Sequence, residues 1–206
     1  MSDLDGWYDG TTKAAILDFV DRVTRNGPDF VAPEDRIAVF DNDGTLWCEK
    51  PAYIQLDFVV RRLAQQAAED TALLQQPPYA AAAAGDLGWF GDAVTAHYQG
   101  DDTRLSALGS AVLAAFKGVT VEEHAQRVRD FFANAHHPSL NRPYTACGYS
   151  PMVALLSHLE AHGFTNYIAS GGGRDFMRPV TGALYGIPPE RVIGSSVGLD
   201  FAEGQL

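Results

Sequence analysis

The run Ile37-Ala38-Val39-Phe40-Asp41-Asn42-Asp43-Gly44-Thr45-Leu46-Trp47 constrains this chain more than any other stretch. Four consecutive apolar residues, Ile37 to Phe40, read as a short strand buried on both faces. The strand ends at once in two carboxylates, Asp41 and Asp43, on either side of Asn42, and Gly44 then permits a sharp turn. Acids at the end of a buried strand are costly unless a cation or a dense set of donors neutralises them. A hard cation that prefers oxygen ligands, Mg2+ above all, suits such a pair. An acidic turn or helix cap is the plain alternative, and the buried strand weighs against it.

After residue 141 the pattern alternates between helix and strand. Ser150-Pro151 reads as an N-cap followed by Pro at the first helical position, with a helix to about Ala161 that turns Val153, Leu155, Leu156 and Leu159 inward. Residues 164–169 form a second strand, 174–185 a helix, and a third strand begins over 192–195 after the turn Gly186-Ile187-Pro188-Pro189. Crossovers of this length join parallel strands, so the expected fold class is α/β, a Rossmann-like parallel sheet with helices on both faces. Upstream, apolar spacing predicts a helix over 12–26, and helices over 53–74, 87–98, 103–116 and 121–135 with almost no strand signal among them. Thr120-Val121-Glu122-Glu123 fits a capping box, and Ala80 to Ala84 is low-complexity filler, helix or loop. Ligands on parallel sheets collect beyond the carboxyl ends of the strands. Asp41, Asp43 and Ser170 all fall at such ends.

Asp-x-Asp-Gly-Thr directly after an apolar strand resembles motif I of the haloacid dehalogenase-like (HAD) hydrolases. Tyr167-Ile168-Ala169-Ser170-Gly171-Gly172 resembles motif II, and the order and long interval of the two also fit. The resemblance covers 36–47 and 150–200 and points to the phosphoserine-phosphatase-like branch. It implies a core made of 1–46 and 150–206, with a helical cap, 47–149, inserted after the first strand. It also implies an aspartyl-phosphate on Asp41, with Mg2+ held by Asp41 and by the backbone carbonyl of Asp43. The Asp43 side chain then serves as general acid to the leaving group and general base to water. An acid at that position separates the phosphatases and phosphomutases of the family from its dehalogenases. Ser170, Gly171 and Gly172 would bind the phosphate, a hydroxyl and backbone amides near a helix start being suited to an anion. The Gly171-Gly172-Gly173-Arg174 run fails the dinucleotide spacing, and Arg174 reads as a solvated helix-start residue.

Charge limits the partners. Twenty-six acids against 15 bases leave a net charge of −11, which argues against nucleic acid or an anionic membrane and for a small phosphorylated metabolite captured by local donors. Cys48 and Cys147 make neither a metal-ligand spacing nor a disulfide framework and read as reduced thiols of a cytoplasmic protein. No signal peptide and no membrane span is visible. Glu49, Lys50, Arg61 and Arg62 read mainly as solvated charges, Trp47, Trp89, Phe90, His97 and Tyr98 as cap core, and His136-His137 has no metal partner at ligand spacing. The motif III base and motif IV acid pair of the resembled family are not found before Leu206, so a truncated phosphatase is expected, with an open sheet edge that a homodimer partner would cover. Two alternatives stand beside it: a catalytically incomplete phosphate-binding or interaction module, and a phosphomutase.

Overall fold

The computed structural model describes residues 4–200. Among these, three strands form one open parallel sheet in the order β1 (Ile37–Phe40), β2 (Thr165–Gly173), β3 (Val192–Ser195). Eight α-helices accompany it: α1 (Thr11–Thr24), α2 (Ile54–Glu69), α3 (Pro77–Ala84), α4 (Leu87–Tyr98), α5 (Thr103–Ala115), α6 (Val121–Asn134), α7 (Ser150–Ala161) and α8 (Arg174–Tyr185). The α/β class and the Rossmann-like parallel sheet are as the sequence predicts. None of these helices is long and apolar enough to cross a membrane.

The chain divides into two compact units. Residues up to Pro51 and from Ala125 onward form the first, and Ala52–His124 the second. The second unit is narrower than the expected 47–149 insertion. Residues just inside those limits are tied to the core unit by backbone bonding, since Trp47 bridges to Gly148 and Tyr149 N–H donates to the Leu46 carbonyl at 2.8 Å.

In the core unit, β1 and β2 run in register from Ile37 beside Thr165 to Phe40 beside Ile168. Val20 and Val23 of α1 and Leu155 and Leu159 of α7 bury with Leu4 and Phe164, and Ala38 and Phe40 of β1 pack against that cluster. Asn166 Nδ2 donates to the Leu156 carbonyl at 2.9 Å, and Met177 of α8 lies against Gly194, so α7 and α8 cover the same face as α1. The other face is different. Ile37, Val39 and Ile193 are 57%, 60% and 58% exposed. The expectation that Ile37 to Phe40 is buried on both faces is therefore corrected. An unbroken apolar run specifies a strand but not how many of its faces are covered, and the helices packed on this sheet cover one. Among the described residues β1 has β2 as its single neighbour, so the first strand lies at an edge of this sheet.

The second unit is all helix. Phe58 of α2 stacks on Phe116 at 5.7 Å, and His124 meets both rings edge-on at 5.8 and 5.2 Å. The alanine run lies in α3, where Ala81 and Ala82 are buried. At the start of α6 the capping box is complete, with Glu123 N–H donating to Thr120 Oγ1 (3.1 Å) and Thr120 N–H to Glu123 Oε2 (3.0 Å).

Candidate active site

β1 delivers Asp41 at its carboxyl end, and the chain then winds around one carbonyl. The Asn42 oxygen accepts from the amides of Thr45, Leu46 and Trp47 at 3.1, 2.8 and 3.2 Å, and Gly44 N–H donates to the Trp47 carbonyl at 2.9 Å. Gly44 is required here by its φ of +74°; a Cβ would also lie 2.8 Å from Glu49 Cδ, the end of a side chain that can swing aside. The same winding aims the Trp47 indole back at the strand end, where Nε1–H donates to Asp43 Oδ1 at 2.7 Å. Trp47 is 2% exposed and held by Phe132, Phe176 and Tyr185, with ring centroids 5.4, 6.2 and 6.3 Å away.

The two acids thus have unlike surroundings. Asp41 is exposed and Asp43 half-buried. Burial pushes the Asp43 carboxyl above the ordinary range; the Trp47 hydrogen bond opposes this, and the charges of Asp41 and Glu49 add to it. Nearby, burial first and the Asp43 charge second push the Tyr185 phenol up strongly. A cavity of about 470 Å³ opens beside the turn, lined among others by Gly44, Glu49, Lys50, His137, Leu140 and Tyr149. A larger one of about 700 Å³ lies along α1 and α7, lined mostly by apolar side chains and by no carboxylate, and so offers nothing to a phosphoryl group.

The second strand is longer than expected. β2 continues past Ala169 through Ser170 and the glycines to Gly173, because pairing with β3 resumes at Gly173 beside Ser195 after an irregularity. Ser170 accordingly lies within the strand, not just after it. Its Oγ accepts from Gly172 N–H at 3.2 Å, so that amide is engaged by the strand's own serine, and Ser195 Oγ donates to the Gly171 carbonyl at 2.9 Å. Gly194 faces this wall so closely that a Cβ would lie 2.6 Å from the Gly172 oxygen. Arg174, first residue of α8, is held by its neighbour Asp175 through two contacts of 3.1 Å. Since Phe40 is level with Ile168, Asp41 and Ser170 lie one and two residues beyond the same paired position on adjacent parallel strands.

Among the described residues no three His, Cys, Asp or Glu side chains gather as a metal-holding set. Oxygen donors at Asp41 and Asp43 nonetheless fit Mg2+, which characteristically takes one or two carboxylates and fills its remaining positions with water and substrate phosphate.

The sequence placed Trp47 with the cap core and gave His137 no role. Nothing in its spacing shows that Trp47 returns to Asp43, because that depends on the turn. His137 is buried, its Nδ1 accepting from the amides of Ser139 and Leu140 (3.2 and 3.1 Å) and its Nε2 lying 2.7 Å from the Lys50 carbonyl, so Nε2 carries the hydrogen. It thereby ties the loop around it to the chain just past the turn.

Comparison with curated proteins finds no match. A family model described as haloacid dehalogenase-like hydrolase matches residues 38–204, which include the acidic turn, the glycine wall and all that lies between. The chain belongs to the haloacid dehalogenase-like hydrolases.

Proposed function

We propose that this hydrolase is a Mg2+-dependent phosphomonoesterase, acting through Asp41 as nucleophile and Asp43 as general acid and base, with the Ala52–His124 unit as its cap. The observation that carries the reading is the contrast between the two carboxyls: Asp41 exposed at the strand end, Asp43 half-buried and biased towards its protonated form. Two neighbouring acids whose environments push their protonation apart suit a nucleophile and an acid respectively.

Asp41 attacks phosphorus in line with the ester oxygen, and the P–O bond to the leaving alkoxide breaks as the bond to the Asp41 oxygen forms. Trp47 N–H occupies Asp43 Oδ1, so the transferable proton sits on Oδ2 and passes from there to the alkoxide. The Asp43 carboxylate then takes a proton from water, which attacks the phosphorus and frees Asp41. Ser170, Gly171 and Gly172 bind the phosphoryl oxygens. Mg2+, held by the Asp41 carboxylate and the Asp43 carbonyl, supplies charge neutralisation between the acids and the phosphate. The substrate is a small phosphorylated metabolite.

Phosphate release from an aryl phosphate, measured with Mg2+ and with chelator, tests the reading. Turnover is expected with Mg2+ alone, and equal activity in Asp41→Asn overturns it. One observation favours a second reading, a module that binds phosphate without turnover: the Gly172 amide is already engaged by Ser170. That reading predicts no hydrolysis, with thermal stabilisation by phosphate and Mg2+ together.

A further inference from the structure

We propose that Cys48 and Cys147 are a disulfide site, closing under oxidising conditions into an intramolecular bond that staples the two passages of chain leading to and from the Ala52–His124 unit. The inference stands apart from the phosphatase reading and rests on the backbone. Tyr149 N–H donates to the Leu46 carbonyl (2.8 Å) and Cys48 N–H to the Cys147 carbonyl (3.2 Å), on either side of the antiparallel bridge between Trp47 and Gly148. Cys48 and Cys147 are therefore directly opposite one another. Opposed residues of this kind place their α-carbons about 5.5 Å apart and their side chains on one face. Disulfides form at that separation.

Both cysteines are free, and the Cys147 thiol donates to the Pro143 carbonyl at 3.7 Å. They are 8% and 3% exposed. The sequence holds two cysteines, so the pairing has no competitor within the chain. Their long separation hid the pair from a reading by spacing: the whole second unit lies between them, and only the fold closes that interval.

The oxidant is a low-molecular-weight disulfide such as oxidised glutathione. The thiolate of one cysteine attacks a reagent sulfur and expels one reagent thiolate, leaving a mixed disulfide. The second cysteine then attacks the protein sulfur of that mixed disulfide, forming the internal bond and expelling the other reagent thiolate. The protein loses two hydrogens and two electrons, and the reagent gains both. Burial raises both thiols, Cys147 to about 12, so the exchange is slow once the chain is folded and proceeds while it folds.

The test uses the full chain, refolded from denaturant in a glutathione buffer poised oxidising or reducing, with no substitution needed. Oxidative refolding is expected to leave no titratable thiol and a monomeric mass two hydrogens lighter. It should also give one cross-linked Cys48–Cys147 peptide on non-reduced digestion, and a Tm about 10 °C above the reduced protein, as for a staple closing a loop of roughly 100 residues. Glutathione adducts at the separate cysteines, disulfide-linked dimers, two thiols surviving oxidative refolding, or a Tm unmoved by the bond would each overturn the proposal.

Discussion

Gly194→Ala probes the glycine wall through a contact that has little room to relax. The new Cβ would lie 2.6 Å from the Gly172 oxygen, 2.7 Å from Met177 Cε and 2.9 Å from the Arg174 nitrogen, against 3.4 Å or more for ordinary contact. The Met177 methyl can swing aside, but the other two atoms are backbone. Overpacking of this kind costs about 1–3 kcal/mol, which for a chain of this size lowers Tm by roughly 3–10 °C. The strain falls on Gly172, one of the residues proposed to bind phosphate, and on the first residue of α8, which follows that wall. Well below the melting temperature, kcat/KM for an aryl phosphate should therefore drop as well. Gly171→Ala is the control, since its Cβ meets nothing within 4 Å. Stability should stay within about 0.5 kcal/mol, while the added methyl crowds an incoming phosphate and raises KM. A Gly194→Ala protein that melts like wild type would refute the β2–β3 register, and one that is destabilised yet kinetically unchanged would detach the wall from phosphate binding.

Asp43→Asn should stabilise the protein at neutral pH while abolishing turnover. Because the folded value of Asp43 is raised, the native state keeps a proton that the unfolded chain has released, and stability falls as pH rises through that window. Melts of wild type and Asp43→Asn should therefore coincide in acid below the ordinary carboxylate range and separate at neutral pH; a wild type that is the more stable at neutral pH refutes the sign. Trp47→Phe removes the indole donor to Asp43 Oδ1, costing about 1.5–3 kcal/mol when the carboxylate is ionised and less in acid. It should move the limb of the pH–rate profile that needs protonated Asp43 to higher pH, and an unmoved profile would exclude Trp47 from tuning the acid. His137→Ala loses the hydrogen bonds to Ser139, Leu140 and Lys50. A loss of about 2 kcal/mol is expected, with KM rising more than kcat falls, read from denaturant melts and steady-state kinetics; equal effects on both would make the residue purely structural.

Local signals carried much of this fold. The spacing that predicts helices over 87–98 and 174–185 gives the observed α4 and α8, because an apolar stripe and its end signals are local. The reciprocal bonds at Thr120 and Glu123 are equally local. Where partners decide, the reading stops. The predicted 53–74 helix ends at Glu69 and resumes as a short 3-10 turn, Thr71–Gln75, capped by Asp70, whose side chain accepts from Ala72 N–H. Ser150 reads as a cap by residue type, yet it begins α7 itself and Tyr149 stands at the cap without a side-chain bond. Glycines after Ala169 read as the end of a strand, whereas pairing to β3 carries the strand on to Gly173. In the site, the acidic pair is legible because both acids share one short turn. Trp47 above Asp43 and Cys48 opposite Cys147 require knowledge of how the turn winds and what it pairs with.

The contact between Trp47 and Asp43 also gives the protein a built-in optical gauge. Of its three tryptophans, Trp7 donates to the Pro151 carbonyl, Trp89 lies in the second unit, and Trp47 donates to the acid itself. A charge appearing or vanishing at that carboxyl changes the field along the indole N–H. In a protein with Phe at positions 7 and 89, the remaining ultraviolet emission would titrate with Asp43, so the proton could be followed without substrate, metal or label.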